Sequence, residues 1–283
     1  MPSPQPSQQP DQQGYLHGFS DEEADRLIRQ ARILEHRIHG QLPFKNCRNL
    51  LEVGCGVGAQ TQILLRDFPD LHVTGLDAST KNLDAAMRVI SQQSLSAERV
   101  QFVSGNATAM DFALDSFDGA YLCWVLEHIP DPTRVLAEVR RVLTSGSPVV
   151  VNEVQNASFF LAPYSPSTLA YWAAFNDHQY DLGGDPFIGA RLGNLLLENG
   201  YRDIATEVRT VHLDNRWPEE RSEFLAYWSE LLLSGSESLL RTGLINSETV
   251  EGMKRELATV THDPDSVIFY SFVQATARVD QGA

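Results

Sequence analysis

Apolar positions along this chain change period in a regular order. Between residues 49 and 151, short apolar runs alternate with stretches whose apolar residues recur every three or four positions. Runs near 49–53, 72–77, 100–103, 118–123 and 148–153 predict strands, and stretches near 59–67, 80–94 and 132–143 predict helices. Strands alternating with helices need crossover connections, which predicts a largely parallel sheet covered on both faces. Upstream, Ala24, Leu27, Ile28, Ala31, Leu34 and Ile38 fall at helical spacing behind Ser20-Asp21-Glu22-Glu23. Ser20 suits an N-cap and Glu23 its reciprocal partner in a capping box, so an amphipathic helix is expected over 21–39.

After Asn152 the rhythm breaks. Residues 155–190 carry Phe159, Phe160, Tyr164, Tyr171, Trp172, Phe175, Tyr180 and Phe187 among prolines and glycines, too irregularly for one helix face. That series is expected to line a substrate cavity. A helix near 189–198, ended by Asn199-Gly200, and a strand near 203–213 follow. Residues 218–261 read as mainly helical, with Phe224, Leu225, Trp228, Leu231 and Leu232 as the apolar series, and a last strand is expected over 267–273. There is no internal repeat. The pattern is that of an α/β fold, Rossmann-like and doubly wound, with seven strands and a helical cap.

Composition narrows the partners more than the fold. With 283 residues, 42% apolar and 21% charged, the chain is ordinary for a globular protein with a large core. No stretch is apolar and long enough for a membrane-spanning helix. Residues 1–13 are Pro, Gln and Ser with no apolar region, so they are expected to form a disordered tail rather than a secretory signal. The formal net charge of −15 and a pI near 4.9 argue against nucleic acid as the partner. The cysteines, Cys47, Cys55 and Cys123, are scattered and form no CxxC pair, so a reduced, cytoplasmic protein without a metal is expected.

The candidate chemistry begins at Leu50-Leu51-Glu52-Val53-Gly54-Cys55-Gly56-Val57-Gly58, an apolar strand followed by a turn with glycine at every second position. Glycine there lets a ligand lie against the main chain. The next strand ends on Asp77, about 20 residues on, where a carboxylate suits the hydroxyls of a ribose. An adenosine-containing cofactor follows. Gly54, Gly56 and Ala59 satisfy the loose dinucleotide pattern, so a nicotinamide enzyme stays open. Three features favour another adenosine ligand. Glu52 would oppose a pyrophosphate at the following helix N-terminus, Gly105-Asn106-Ala107 puts an amide where an adenine edge could be read, and no Tyr-x-x-x-Lys pair is present.

These motifs resemble the class I S-adenosylmethionine-dependent methyltransferases, particularly their UbiE-like small-molecule branch. The likeness rests on Glu52 to Gly58, Asp77, Gly105-Asn106-Ala107, Phe117-Asp118, Leu126-Glu127-His128-Ile129-Pro130 and Leu143-Thr144-Ser145-Gly146, roughly residues 48–153, with a weaker match at Gly14-Tyr15 and in the C-terminal strands. It implies a mostly parallel seven-stranded sheet whose last strand is antiparallel, and S-adenosylmethionine as cofactor. It implies that Gly54, Gly56 and Gly58 pack against the methionine portion and ribose, with Glu52 orienting the methionine end. Asp77 would accept from both ribose hydroxyls, helped by Asn82. Asn106, where the family commonly has Asp, would accept from the adenine amine, and Ala107 would donate its N–H to the ring. Cys123 and Trp124 would meet the methionine or sulfonium, and Tyr15 would close over the cofactor. The organisation that follows is a tail (1–14), an N-terminal cap helix (15–45), a cofactor-binding core (46–153), a cap insertion (154–190), a core helix and strand (191–215), a helical cap insertion (216–263), and a last strand with a C-terminal tail (264–283).

The expected reaction is methyl transfer to a small, partly hydrophobic metabolite by in-line displacement. The acceptor atom stays open, and a homo-oligomer is allowed. An NAD-dependent oxidoreductase, or the same fold binding the cofactor as a cyclase or regulatory module, are the alternatives. Candidates for handling a proton at the strand ends are Glu153, first, then His128 and His178. Each also has a plain structural reading: Glu153 as a solvated strand-end acid, His128 as a hydrogen-bonding residue.

Overall fold

The computed structural model describes residues 21–93 and 97–280. Ser20 and Tyr15 therefore lie outside the described residues. The first half of the chain runs α1 (Asp21–Ile38), β1 (Asn49–Val53), α2 (Ala59–Asp67), β2 (His72–Asp77), α3 (Thr80–Gln92), β3 (Val100–Ser104), β4 (Gly119–Cys123), α4 (Pro132–Val142) and β5 (Pro148–Val154). Local signals explain the helix starts. The Ser79 hydroxyl accepts from the Asn82 N–H at the head of α3. The Asp131 carboxylate accepts from the Arg134 N–H, with Pro132 in the first turn of α4, where its missing N–H costs nothing. In α1 the two Glu23 carboxylate oxygens receive the Arg26 guanidinium at 2.5 and 2.8 Å, while the capping box expected with Ser20 lies outside the described residues.

The second half runs β6 (Phe160–Ala162), α5 (Pro166–Asp181), α6 (Leu192–Glu198), β7 (Arg202–Leu213), α7 (Pro218–Ser234), α8 (Ser236–Thr242), α9 (Ser247–His262) and β8 (Val267–Arg278). Among the described residues the sheet has eight strands, one more than the pattern predicts. The extra strand, β6, is three residues long, too short to show a period of two. The 16-residue α5 falls in the aromatic stretch expected to be irregular. Thr168, Asn176, His178 and Gln179 are buried on it beside Tyr171, Trp172 and Phe175, so its faces do not divide into apolar and polar and no helical period shows.

Strands β3, β2, β1, β4 and β5 are parallel neighbours in that order, and β8 runs antiparallel to β5, β6 and β7. Ile268 pairs with Leu161 of β6 and Leu213 of β7, so these strands occupy opposite edges of β8 and β6 continues the line of β5. The chain lays β2 and β3 to one side of β1 and then crosses to β4 on the other. The carboxyl ends of β1 and β4 thus flank a switch point, where open α/β sheets form ligand crevices. One apolar cluster joins Leu34 of α1, Leu50, Tyr121 and Val150 of the sheet, Trp172 of α5, Phe224 and Trp228 of α7, and Phe272 of β8. A second, on the opposite face, packs α4 and α6 against Leu51, Leu122 and Val151. The cap helices share the core of the sheet rather than sitting on it as a separate unit.

Candidate active site

A cavity of about 750 Å³ opens at the switch point. Its floor is the turn after β1. Gly54, Gly56 and Gly58 have φ of +66°, +53° and +75°, which an L side chain adopts only under strain. The three glycines answer to different neighbours. A Cβ on Gly54 would stand 2.6 Å from the Val125 side chain, whereas a Cβ on Gly56 would meet nothing within 4 Å and project into the cavity. Gly58 does not line the cavity: its Cβ would press on Ala86 of α3 at 3.1 Å, so it seats one helix against another instead of holding a ligand.

Asp77, at the end of β2, lines the cavity 21 residues after Gly56 and is tied to it: Asp77 Oδ2 accepts the Gly56 N–H at 2.8 Å. Oδ1 accepts the Ser79 N–H at 2.8 Å and, at 3.4 Å, the Asn82 amide, which also lines the cavity. The carboxylate is held at both oxygens, yet Oδ2 keeps one lone pair for the cavity, and the long 3.4 Å contact from Asn82 can yield a second on Oδ1. Burial raises its pKa, and the three donors oppose that rise.

Asn106 and Ala107 line the same end. The Asn106 side-chain oxygen accepts both the N–H and the hydroxyl of Thr108, each at 2.8 Å. Two donors fill its lone pairs, so Asn106 turns only its NH2 donors outward. The oxygen expected to accept from an amine is occupied here by Thr108.

Glu52 is buried behind the turn, does not itself line the cavity, and accepts the Thr61 hydroxyl at 2.6 Å. Burial, with Asp77 nearby and against the Thr61 hydrogen bond, pushes its carboxyl up to about 8. Cys123 and Trp124 both line the cavity. Trp124 has φ of +56°, a strained value for a bulky residue, and its ring packs edge-on to Phe272 at 6.1 Å. Burial raises the thiols of Cys55 and Cys123 well above the ordinary cysteine value, which leaves them poor nucleophiles.

Two proton-handling candidates leave the site. Glu153 is fully buried and does not line the cavity, which overturns both the catalytic expectation and the solvated one. Its Oε1 accepts the N–H groups of Val125 and Leu126 at 3.0 and 2.7 Å, and Oε2 that of Glu127 at 3.3 Å. It braces the segment after β4. His178 faces α8, with Nε2 2.9 Å from the Ser238 hydroxyl, and is likewise absent from the cavity wall. His128 remains: it lines the cavity, with Nε2 3.7 Å from Glu127 Oε1.

The other half of the cavity is aromatic. Trp172 and Phe175 of α5 stack at 5.2 Å, and Phe224, Tyr227 and Trp228 of α7 join Tyr270 of β8 around them. Of the eight aromatics expected there, only Trp172 and Phe175 line the cavity. Phe159 and Tyr171 are buried in the core, and Phe160, Tyr164, Tyr180 and Phe187 are exposed. Arg26 and Gln30 from α1, and Glu127 and Gln179, complete this half. Sequence reasoning missed these polar residues because the elements that face one another across the cavity are far apart in the chain: Gln179 Nε2 reaches Glu127 Oε2 at 2.7 Å across 52 positions. The spacing Phe224, Trp228, Leu231 marked a cap helix expected to enclose the substrate, and all three line the cavity.

Among the described residues no group of three or more His, Cys, Asp or Glu could hold a metal ion. No helix among them is long and apolar enough to cross a membrane.

A family model described as a methyltransferase domain matches residues 51–151. The chain is 32% identical over 136 residues to the methyltransferase phqN of Penicillium fellutanum (47% of this chain, 40% of that one). It is 34% identical over 119 residues to the sterol 24-C-methyltransferase erg-4 of Neurospora crassa (42% and 31%), and 30% identical over 144 residues to the O-methyltransferase rstn1 of Aspergillus nomiae (50% and 63%). The chain thus spans less than two thirds of the length of these curated relatives. In fold it is similar to the cyclase SpnF (20% identical, TM-score 0.54, covering 95% of this chain and 88% of that one). A similar likeness holds to Haemonchus contortus phosphoethanolamine N-methyltransferase 2, solved with S-adenosyl-L-methionine (19%, TM-score 0.53, 89% and 52%). The glycine turn, the acid after β2 and the strand order accompany this match: residues 51–151 match a methyltransferase domain, and the chain is similar to the class I S-adenosylmethionine-dependent methyltransferases.

Proposed function

We propose that the protein transfers a methyl group from S-adenosylmethionine to a small, partly hydrophobic metabolite. The observation that carries this reading is one cavity with two unlike halves, a glycine-and-carboxylate end and an aromatic end, meeting at Trp124 and His128. The residues present fit the cofactor: Gly56 leaves room that any Cβ would fill, and Asp77 turns an unfilled lone pair toward the same space. When bound, S-adenosylmethionine supplies an activated methyl on a sulfonium. Asp77 accepts from the ribose hydroxyls, charge-assisted bonds stronger than neutral ones. Asn82 steadies Asp77. Asn106 and the Ala107 N–H donate to the adenine edge. Gly54, Cys123 and Trp124 border the methionine end, with Glu52 behind the turn.

On the acceptor side the aromatic walls exclude water and orient the metabolite, and positioning of this kind is worth roughly 7–11 kcal/mol of barrier. His128, beside Glu127, takes the proton that the acceptor gives up. The aromatic lining and the net charge of −15 support a small molecule rather than nucleic acid. Three free cysteines, two of them buried, support a reducing, cytoplasmic setting. The test is incubation with labelled S-adenosylmethionine and a panel of aromatic, isoprenoid and amine metabolites. Label should appear on a small molecule and fall sharply in His128→Ala; transfer to tRNA or protein alone would sink the reading.

Glu52 gives a pH prediction. Its carboxyl is raised from an ordinary value of 4.5 to about 8, so the ligand-free protein holds a proton there at neutral pH. The stability this group contributes is full below about 4.5 and is lost as pH rises toward 8, because the folded state binds the proton more tightly than the unfolded one. A cation bound beside Glu52 lowers that pKa again. Cofactor affinity should therefore rise from pH 6 to pH 8, and calorimetry in buffers of different ionisation enthalpy should register proton release near pH 7. Glu52→Gln should abolish the release. Release unchanged in that variant would detach Glu52 from the cofactor.

A further inference from the structure

The acceptor half of the cavity has an unbalanced charge. Its charged side chains among the described residues are Arg26 and Glu127, with His128 at the boundary and no lysine. Arg26 is already matched: its guanidinium forms a two-point pair with Glu23 and donates to Gln30 at 2.9 Å. Among the described residues Glu127 has no such match. It is 7% exposed, and the side chains that meet its carboxylate are the Gln179 amide at 2.7 Å and the His128 ring at 3.7 Å. An amide is neutral, and an imidazole carries charge only when protonated. Burying a carboxylate with neutral partners alone is costly unless a cation completes the site.

The surroundings point to what completes it. Glu127 faces the cap, where its charge acts on the Tyr227 and Tyr270 hydroxyls, and it draws its amide partner from α5. The walls around it are Trp172, Trp228, Phe224 and the two tyrosines, whose ring faces attract organic cations. The cofactor half has its own carboxylate in Asp77, so Glu127 is a further negative charge on the acceptor side.

We propose that this half of the cavity selects a substrate with an apolar ring or chain and a basic nitrogen, which it seats against Glu127 between the aromatic walls. An alcohol of the same shape keeps the aromatic contacts and loses the charge pairing. A carboxylic acid of the same shape meets Glu127 as a like charge and finds Arg26 already paired. The proposal rests on the methyl-transfer reading for its meaning as substrate choice, yet binding alone tests it.

The experiment measures binding of three matched indoles, tryptamine, tryptophol and indole-3-acetate, to the full-length protein saturated with S-adenosylhomocysteine, by calorimetry. The expected order is tryptamine at least tenfold tighter than tryptophol, with indole-3-acetate weakest. In Glu127→Gln the advantage of the amine should shrink to threefold or less, and Glu127→Asp, which keeps the charge, should preserve it. Saturation of each variant by S-adenosylhomocysteine reports that it is folded, and the wild-type ranking decides alone should a variant fail to fold. Equal or tighter binding of the alcohol or the acid overturns the proposal, as does an amine preference that survives Glu127→Gln. Absence of S-adenosylhomocysteine binding would instead strike the methyl-transfer reading, while the ranking, measured without it, would still judge Glu127.

Discussion

Asp77→Ala should weaken S-adenosylhomocysteine binding by more than tenfold, and calorimetry on folded protein would measure it. A hydrogen bond to a charged group contributes roughly 1.5–3 kcal/mol, and about 1.4 kcal/mol is a factor of ten in affinity. Losing the acceptor for two ribose hydroxyls therefore exceeds tenfold on its own. The variant also frees the Gly56 N–H, now bound at 2.8 Å, so the turn loses the group that fixes its distance from β2. Asp77→Asn keeps one acceptor oxygen and should fall between wild type and alanine. Wild-type affinity in folded Asp77→Ala would remove this residue from the site.

The second large effect concerns stability. Glu153→Ala should lower the melting temperature by about 6 °C or more. It strands the N–H groups of Val125, Leu126 and Glu127 without an acceptor. Each buried unpaired donor costs roughly 1–3 kcal/mol, part of which is offset by no longer burying a carboxylate. A net loss near 3 kcal/mol corresponds to roughly 6–12 °C in a domain of this size. Glu153→Gln keeps an oxygen for Val125 and Leu126 and should lose less than half as much. Scanning calorimetry separates the two variants. Wild-type melting in Glu153→Ala together with lost turnover would return Glu153 to the catalytic role expected from its position at the end of β5.

That reversal marks where the sequence stops being legible. The cofactor end could be read because its parts are local: a glycine turn directly after β1, an acid at the end of β2, an amide after β3. Each stands at a strand end, so a one-dimensional pattern locates it. Glu153 also stands near a strand end and was misread, because its partners are backbone N–H groups 26 to 28 positions away, which no pattern of side chains reports. Gly58 was grouped with the ligand-facing glycines because spacing is blind to which side a Cβ would point. The acceptor end was hidden for a different reason. Its walls come from α1, α5, α7 and β8, and α5 is packed all round, so its polar residues Asn176 and Gln179 face inward and erase the periodicity by which helices are recognised. Arg26 is buried beside Tyr227 of α7, about two hundred positions later in the chain.

The place of β8 has a consequence for how the chain assembles. This strand pairs with β5, β6 and β7, yet it is the last to emerge in sequence. During synthesis the five parallel strands can form early, but until β8 arrives β5 presents an open edge carrying Val149, Val150 and Val151, and β7 lacks its partner. Such an edge is a template for pairing with another chain. Long-range pairing of this kind folds slowly and leaves that edge at risk of aggregation in the interval. Tyr270 travels on the same strand, so the aromatic wall of the cavity is completed in the step that seals the sheet.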